Sequence, residues 1–474
     1  MNAVASIENL FQRGLADHRA GRLTQAAAAY REILAIDPTH ADAHNTLGAA
    51  LDELGRPEGA EASCREALRL RPDYPEAHNN LGNALCALGR PAEAEASYRD
   101  ALRLRPDFPE AHGNLGNALS ALGRPVEAEA TFREALRLRP NNPEAHNNLG
   151  FALLLAGRLE EGWKENEWRW KANPVSSSAR YFLAPQWRGE AIGDRIILLH
   201  AEQGLGDTLQ FCRYAPLMDS AAWIILEVQA PLVRLLSRLP GVSEVVAAGE
   251  RLPPLDLHCP LMSLPLAFGT TLDTIPAATP YLSADPALAA YWQQRLVGLD
   301  GLRIGLVWAG GRWLDRPAAA AVDRRRSLDL EALAPLTQVS GVSFVSLQTD
   351  GPAAEAADPP HGMMLHDFTA DLHDFEDTAA LIVNLDLVIS VDTAVAHLAG
   401  ALGKPVWLLN RFDTDWRWLL NRDDSPWYPT LRQFRQPSPG DWDRAVCAAR
   451  DALQRLTDGD RDQLLARQGL DGAG

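Results

Sequence analysis

Lysine is nearly absent from this sequence of 474 residues, in which three lysines stand beside 42 arginines. An arginine at a given position is therefore weak evidence that a guanidinium is needed there. Acidic residues outnumber basic ones, and the formal net charge is −17 at pH 7. A charge of this sign opposes sequence-independent binding to nucleic acid or to an anionic membrane. We expect neither kind of partner.

Paired cysteines, long apolar runs and a leader segment are also missing. The five cysteines never form a C-x-x-C pair, which favours free thiols in a reducing cytoplasm over a structural zinc site. No stretch approaches about 18 consecutive apolar residues, the length that a membrane span needs. The first ten residues lack a basic region followed by an apolar core. These features predict a cytoplasmic protein without a membrane span.

Several enzyme signatures are absent as well. The sequence has no H-E-x-x-H, Walker loop or nucleophile elbow. Gly204 and Gly206 form a G-x-G turn, but Leu209 occupies the place of the third glycine of a dinucleotide-binding motif. A dinucleotide-dependent enzyme is therefore disfavoured.

A 34-residue repeat fills the first third of the chain. The pair Leu-Gly recurs at this spacing from Leu47-Gly48 to Leu149-Gly150, with alanine and proline in step. This spacing defines five repeat units, at 7–40, 41–74, 75–108, 109–142 and 143–176, of which the last is degenerate. This period, with small residues at the helix crossing, resembles the tetratricopeptide repeat. Helix pairs of this kind bury their apolar faces by stacking, so residues 1–176 are expected to form an α-solenoid.

Two polar columns run through the repeats. Asn80, Asn114 and Asn148 share one position, and stacking would align them as a ladder. Such a ladder could bind the backbone of an extended peptide, or it could simply suit a solvated face. Histidines at 44, 78, 112 and 146 form the second column, for which inter-helix packing is the better interpretation. All 13 tryptophans lie at Trp163 or later. Those in the fifth repeat could form a hydrophobic cap that docks the solenoid on the next domain, or they could stack on a ligand.

After the repeats, apolar strands alternate with helical segments. One series occupies 177–300, with apolar runs at 195–200, 223–228 and 242–247. A second occupies 301–456, with runs at 302–309, 342–347, 385–391 and 405–410. The two series predict two Rossmann-like lobes with parallel sheets and a cleft between them. A helical stretch is expected from about Thr208. We expect a mobile loop over 313–326 and a frayed polar tail over 457–474.

The sharpest local pattern is an apolar strand that runs into Asp392, Thr393 and an alanine-rich helix containing His397. Asp392 or Thr393 could cap that helix, whose free N–H groups would attract an anion such as a diphosphate. His397 lies one turn further on the same face. Alternatively, Asp392 only caps the helix and His397 packs in the core.

The segment "SVDTAVAHLAGALGKP", from Ser390 to Pro405, resembles the nucleotide-sugar motif of glycosyltransferase family 9, which includes the heptosyltransferases. The segment "AEQGLGDTLQFCRYAPL", from Ala201 to Leu217, is similar to that family's N-terminal glycine loop, which contains Gly204 and Gly206. The whole chain resembles a bacterial group that joins tetratricopeptide repeats to such a domain, an architecture also found in protein O-GlcNAc transferases.

The resemblance implies a GT-B fold, a nucleotide-diphosphate sugar as donor substrate, inversion at the anomeric carbon, and no metal or other cofactor. It also implies that Asp207 is the catalytic base, since Asp207 matches the aspartate of the family's glycine loop. Inverting transfer needs one carboxylate to take the proton of the acceptor hydroxyl. Helix capping beside Thr208 is the alternative role for Asp207.

The sequence departs from the family at two places. Ala394 replaces a glycine after Asp-Thr, and no lysine follows the first strand of the second lobe. Arg312 and Arg326 are the nearest basic candidates for contact with phosphate. Gln348 lies where strand-end residues of the family face the donor. Aromatic residues between 416 and 428 could stack on the nucleotide or pack the lobes together.

The sequence thus predicts a glycosyltransferase that transfers a sugar to an acceptor hydroxyl and recruits a protein or peptide acceptor through its repeats. Two alternatives are open. The chain could be a non-catalytic repeat scaffold with a degenerate transferase-like domain, or a transferase that acts on a surface glycan of the lipopolysaccharide type.

Overall fold

The computed structural model describes residues 2–172, 182–218, 222–311 and 317–466. The chain forms two compact units. The first comprises Met1–Ala156 and Glu165–Ala172, and the second comprises Gly157–Lys164 and Asn173–Gly474. The first unit is helical, whereas the second contains two parallel β-sheets. A helical repeat region followed by a parallel α/β region is the order that the sequence predicts.

Helix pairs with the expected period make up the repeats. Proline stands in the first turn of each helix from α4 to α9, where its missing N–H would have no partner in any case. The helices are α1 (Asn2–Arg19), α2 (Leu23–Ile36), α3 (Ala41–Glu53), α4 (Pro57–Leu70), α5 (Pro75–Ala87), α6 (Pro91–Leu104), α7 (Pro109–Ala121), α8 (Pro125–Leu138), α9 (Pro143–Leu155), α10 (Leu159–Asn166) and α11 (Arg169–Ala172).

The repeated glycine allows the two helices of a repeat to pack closely. A Cβ atom added to Gly82 would lie 2.4 Å from Cε1 of Tyr98, and one added to Gly116 would lie 2.5 Å from Cε1 of Phe132. Both rings are buried. The pairing of a small residue with a large ring in the facing helix explains why glycine recurs at this position of the repeat.

The asparagine ladder is present and bonds neighbouring repeats together. Its amide N–H groups donate to asparagine side chains of the preceding repeat. The bonds run from Nδ2 of Asn80 to Oδ1 of Asn45 (2.9 Å), from Nδ2 of Asn114 to Oδ1 of Asn79 and of Asn83 (3.0 Å each), and from Nδ2 of Asn148 to Oδ1 of Asn117 (2.9 Å). The ladder therefore has a structural role, whatever it binds.

Each histidine of the column contacts the loop that precedes its own helix. Each ring approaches the carbonyl of the proline six residues earlier through its Nε2 atom. The distances are 3.0 Å for His44 to Pro38, 3.1 Å for His78 to Pro72, 2.9 Å for His112 to Pro106, and 2.8 Å for His146 to Pro140.

Part of the fifth repeat, Gly157–Lys164, belongs to the second unit, although the 34-residue period places it in the solenoid. Trp163 is buried there, and its indole Nε1 donates to the carbonyl of Thr270 at 3.0 Å. Its ring meets that of Trp416 edge to face at a centroid distance of 5.2 Å. Trp163 is therefore a core residue of the second unit rather than a ligand-stacking group.

The second unit contains a four-stranded and a six-stranded sheet. All strand pairs are parallel, in the orders β3-β2-β1-β4 and β10-β9-β8-β5-β6-β7. The strands are β1 (Ile196–His200), β2 (Trp223–Val228), β3 (Glu244–Ala247), β4 (Leu257–Pro260), β5 (Leu302–Val307), β6 (Val342–Ser346), β7 (Leu365–Asp367), β8 (Leu387–Val391), β9 (Val406–Asn410) and β10 (Leu431–Arg435). Strands β8 and β9 are buried along their whole length, as expected of the centre of a parallel sheet.

Helices accompany both sheets. They are α12 (Leu205–Phe211), α13 (Val233–Leu236), α14 (Leu264–Ala267), α15 (Pro286–Arg295), α16 (Pro317–Arg326), α17 (Phe375–Ile382), α18 (Ala394–Ala401) and α19 (Trp442–Thr457). Helix α19 buries Val446, Ala449 and Leu453 in the same hydrophobic core as Trp407 of β9. The predicted helix near Thr208 begins three residues earlier, at Leu205.

Two expectations about irregular segments differ from the structure where it describes them; residues 313–316 and 467–474 lie outside the described residues. The predicted mobile loop over 313–326 contains helix α16, which the run of alanines after Pro317 favours. The predicted frayed tail is ordered at least to residue 466. Gln463 is buried, and the Leu464 carbonyl accepts a hydrogen bond of 3.2 Å from Nε1 of Trp407. These contacts hold the segment after α19 against the second sheet.

Replacing Gly116 with alanine should destabilise the repeats, because the new methyl group would overlap the Phe132 ring. Overpacking of this kind lowers the unfolding free energy by about 1–3 kcal/mol. Gly113, on the same helix, is the matched control: a Cβ added there meets nothing within 4 Å. Its replacement with alanine should stabilise the protein by about 0.4–1 kcal/mol. Urea unfolding followed by circular dichroism measures both changes, and equal stability of the two variants would contradict the packing argument.

Candidate functional site

A cavity of about 930 Å³ lies at the carboxyl ends of strands from both sheets. This is the edge at which open α/β sheets bind ligands, where the strand order reverses direction. Its lining follows successive strands: 203–207 after β1, Gln229 after β2, 309–311 after β5, 347–351 after β6, 392–395 after β8, and Asp415 with Arg417 after β9.

Most of the site residues predicted from the sequence line this cavity. Residue Arg312 lies outside the described residues, and the asparagine ladder belongs to the other unit. The predicted residues that line the cavity are Gly204, Gly206, Asp207, Arg326, Gln348, Asp392, Thr393 and His397.

Asp207 lies in the first turn of α12, and both of its carboxylate oxygens accept hydrogen bonds. The Gly204 N–H donates to Oδ2 at 2.8 Å, and the Arg417 guanidinium donates to Oδ1. Burial raises the pKa of Asp207, and the positive charge of Arg417 opposes that shift. Asp207 therefore caps its own helix and also presents its carboxylate to the cavity, so the two roles considered for it are compatible.

Gly206 allows α12 to pack against the start of α18. A Cβ atom at this position would lie 2.9 Å from Cδ2 of His397 and 3.6 Å from Cα of Ala394. The glycine loop and the Asp-Thr segment are distant in sequence, and the missing side chain brings them into contact. Gly206 thus has a packing role that its place in a G-x-G turn did not reveal.

Neither Asp392 nor Thr393 caps α18 with its side chain, contrary to the expectation that one of them would. Thr393 is the N-cap residue in an extended conformation, and its hydroxyl lies 3.0 Å from the Ser390 hydroxyl. Burial and the neighbouring carboxylate of Asp415 raise the pKa of Asp392. The first-turn N–H groups of α18 therefore have no side-chain cap among the described residues, and they border the cavity.

His397 is both a packed residue and a wall of the cavity. Its side chain is buried, Nδ1 lies 2.9 Å from the Tyr428 hydroxyl, and the ring stacks on Trp418 at a centroid distance of 5.2 Å. Burial, with a further contribution from the charge of Arg417, lowers the pKa of His397 to about 3. The imidazole is therefore neutral near pH 7 and supplies no positive charge to an anion.

Arg326 and Gln348 are both tied to neighbouring groups. Nη1 of Arg326 donates to the Asp392 carbonyl at 3.0 Å, and Nη2 pairs with Asp323 at 2.9 Å. Oε1 of Gln348 accepts from the backbone N–H groups of residues 308 and 309, at 3.2 and 3.0 Å. Its Nε2 donates to the Asp350 carbonyl at 2.7 Å. The described contacts of Gln348 thus hold two strand ends together.

Sequence reasoning missed the central cation of the site, Arg417. Its guanidinium is buried between Asp207 and Asp415, with Nη1 2.9 Å from Oδ1 of Asp415. The abundance of arginine hid this residue, although the pattern Asp-Trp-Arg after a strand could have drawn attention to it. The aromatic residues beside it, Trp416 and Trp418, are buried, which confirms packing as their role.

The described residues contain no cluster of three or more histidine, cysteine, aspartate or glutamate side chains arranged to hold a metal ion. Independence from metal stays a prediction. None of the described helices combines the length and the apolar character that crossing a bilayer requires.

Comparison with known families finds similar segments in both units of the chain. Residues 18–79, 79–143 and 114–162 match models of the tetratricopeptide repeat. Residues 371–409 match the model described as glycosyltransferase family 9 (heptosyltransferase). This second match includes Asp392, Thr393 and His397. The chain therefore contains segments similar to the tetratricopeptide repeat and a short segment similar to glycosyltransferase family 9, in agreement with the resemblance noted from the sequence.

One curated relative is Protein FlbA of Caulobacter vibrioides, which is 30% identical over 330 residues, or 63% of this chain and 52% of the relative. The chain thus spans about half the length of the curated relative it matches. Among solved structures, TTC0263 of Thermus thermophilus, a thermophilic tetratricopeptide-repeat protein, is 24% identical over 36% of this chain and 92% of that chain, with a TM-score of 0.33. Pseudomonas aeruginosa pilF is 25% identical over 36% of this chain and 78% of that chain, with a TM-score of 0.34.

The neutral state of His397 can be tested by NMR. We expect the ring resonances of His397, assigned by comparison with the His397→Gln variant, to stay constant between about pH 5 and pH 8, because burial lowers the pKa to about 3. Ring resonances that titrate near pH 6.5 would contradict the burial of this imidazole. The folded state disfavours protonation of His397, so this group's contribution to stability is present above about pH 6.5 and is lost as the pH falls towards 3.

Proposed function

We propose that this protein is a glycosyltransferase of the GT-B type, which moves a sugar from a nucleotide-diphosphate sugar to an acceptor hydroxyl. The observation that carries the proposal is the cavity at the strand ends, which joins the family 9 segment around Thr393 to the Asp207 loop. A site for a phosphorylated substrate at this edge is typical of parallel α/β sheets.

The donor's diphosphate would lie at the start of α18. Its uncapped N–H groups and the positive end of the helix dipole favour an anion. Arg326 borders the same cavity and brings a guanidinium group, which would stand in for the lysine of the family. His397 would contribute a hydrogen bond without charge, because its imidazole is neutral.

Asp207 would act as the base. Its carboxylate takes the proton of the acceptor hydroxyl while that oxygen forms a bond to the anomeric carbon of the sugar. The bond between that carbon and the diphosphate breaks at the same time, and the electron pair leaves with the diphosphate. Attack on the face opposite the leaving group inverts the anomeric configuration. The N–H groups and the Arg326 guanidinium stabilise the negative charge that develops on the diphosphate.

We propose that transfer needs neither a metal ion nor a resident cofactor, since the nucleotide-sugar is a substrate. We also propose that the protein is cytoplasmic.

The repeats would recruit a protein or peptide acceptor. The amide N–H groups of the ladder are used between repeats, as described above, so the acceptor would meet mainly the carbonyl oxygens of Asn80, Asn114 and Asn148. Such oxygens can accept hydrogen bonds from peptide N–H groups without reading the side chains.

A specific observation also favours a second candidate, a scaffold that binds nucleotide without turnover. Both oxygens of Asp207 already accept hydrogen bonds, and Ala394 stands where the family has glycine. A transferase acting on a surface glycan keeps the same chemistry with another acceptor. The two experiments below separate these candidates.

Asp207→Asn should abolish transfer while leaving donor binding intact. Thermal-shift screening against UDP-, GDP- and ADP-sugars identifies the donor, because a bound ligand stabilises the folded state. We expect both wild type and Asp207→Asn to be stabilised, and turnover of the variant to fall by about 10²- to 10⁴-fold. Asp424→Asn, which changes an acid outside the cavity lining, is the matched control. Binding without turnover in the wild type would support the scaffold and defeat the enzyme proposal.

Asn148→Ala should raise KM for a polypeptide acceptor and leave KM for the donor unchanged. Asn148 is half-buried and makes one described bond to Asn117, so the substitution changes the ladder with little loss of packing. Asn141→Ala, at an exposed loop position of the first compact unit, is the control. We expect a rise of about fivefold to tenfold, the loss of roughly one hydrogen bond. An unchanged KM for the polypeptide would favour the glycan acceptor.

A further inference from the structure

One buried cation serves two carboxylates at the wall of the cavity. The Arg417 guanidinium donates from Nη2 to Asp207, from Nη1 to Asp415 at 2.9 Å, and from Nε to Oε1 of Gln210 at 2.7 Å. Its carbon Cζ lies 4.2 Å from the centroid of the Trp416 ring. The side chain is 8% exposed, so it has one orientation and little water around it.

These contacts also fix the orientation of Asp207. Oδ1 accepts from Arg417 and Oδ2 accepts from the Gly204 N–H at 2.8 Å, which leaves the carboxylate no freedom to rotate. Each carboxylate oxygen has two lone pairs, so an incoming hydroxyl can still donate to one of them. A base that is already oriented loses less entropy when the acceptor arrives.

The same contacts affect the charge of Asp207. A base must be ionised before it can accept a proton, and a buried carboxyl prefers its neutral form. Arg417 is the first opposing influence, since its positive charge favours the ionised form of Asp207. Asp415 acts in the opposite direction, because it is a second anion that shares the guanidinium.

We propose that Arg417 is a positioning residue for Asp207, which keeps that carboxylate ionised and in one orientation, and that Asp415 limits this effect by sharing the guanidinium. The inference rests on the proposed role of Asp207 as base. It adds two residues, Arg417 and Asp415, whose influence on the reaction passes through Asp207.

The other groups around Asp207 are few. Arg326, at the end of α16, contributes a weaker positive influence. His397, on α18, is neutral, because burial lowers its pKa to about 3. Asp392 faces Asp415 and Arg326 from the segment before α18. Because none of these groups is bonded to the Asp207 carboxylate in the described residues, substitutions at Arg417 and Asp415 should dominate its titration.

The test is the acid limb of the pH–rate profile, in which activity falls as the base becomes protonated. Arg417→Gln removes the paired cation, so the limb should move to higher pH by about one to three units. Asp415→Asn removes the second anion that pairs with the Arg417 guanidinium, so Asp207 is then its one anionic partner among the described contacts. The acid limb should therefore move to lower pH. Opposite shifts from two neighbouring substitutions are a result that a purely structural role does not produce.

Matched controls exist in the surface pair of Arg422 and Asp424, which bond to each other and do not line the cavity. Arg422→Gln and Asp424→Asn should leave the acid limb in place. Arg417→Lys keeps the positive charge but loses the planar geometry. Its acid limb should therefore lie closer to the wild-type limb than the limb of Arg417→Gln does. Its kcat should be lower than that of the wild type. This variant also serves if Arg417→Gln fails to fold.

Failure of the inference differs from failure of the proposed function. If the wild type turns over a donor but Arg417→Gln and Arg417→Lys raise only the donor KM and leave the limb unmoved, Arg417 is a donor contact and the inference is wrong. If the wild type turns over no donor, the infrared band of the protonated Asp207 carboxyl, assigned by subtracting the Asp207→Asn spectrum, decides the inference. A titration that moves to higher pH in Arg417→Gln supports it, and an unmoved titration overturns it.

Discussion

The charge of Arg417 is the constraint on which the candidate site depends. Burying one cation together with two carboxylates is costly unless each group finds its partner, and removal of one partner leaves an uncompensated charge inside the protein. Asp207 and Gln210 come from α12, whereas Asp415 comes from the segment after β9, so the guanidinium bonds two distant parts of the chain. Substitutions at any of these positions should affect folding and site chemistry together.

Close packing of two short helices supplies the geometry for that charge network. Gly206 brings α12 to the start of α18, where His397 and Ala394 lie against it. The uncapped end of α18 and the carboxylate of Asp207 therefore border one cavity. A substrate that binds at both places would be held between a set of N–H donors and a base. The same packing makes His397 neutral, since the groups that surround it exclude water.

The fold could be predicted from the sequence because its signals are local and repeated. The 34-residue period defined the helix pairs, and the apolar runs located seven of the ten strands. The runs missed β4, β7 and β10, which are short or contain polar and charged residues such as His258, His366 and Arg432. The helix at 317–326 was mistaken for a loop because proline and charged residues outweighed its alanines.

Only some residues of the candidate site could be predicted, because sequence motifs mark some of them and not others. Asp207, Thr393 and His397 follow strands within recognisable motifs, so their meeting at one edge could be expected. Arg417 lies in an Asp-Trp-Arg-Trp segment after β9, but it is one of 42 arginines, so only its three-dimensional contacts distinguish it. The pKa of His397 and the sharing of one guanidinium by two acids likewise depend on long-range packing, which spacing along the chain does not encode.

The position of Trp163 has a consequence for how this chain can be divided. A cut at residue 176, where the sequence repeat ends, would leave a fragment without the indole that fills the space beside Trp416 and bonds to the Thr270 carbonyl. Loss of a buried tryptophan side chain costs about 3–5 kcal/mol. A self-standing fragment of the second unit therefore starts upstream, at about Gly157. The repeat period assigns Trp163 to the solenoid, but its side chain is part of the core of the second unit.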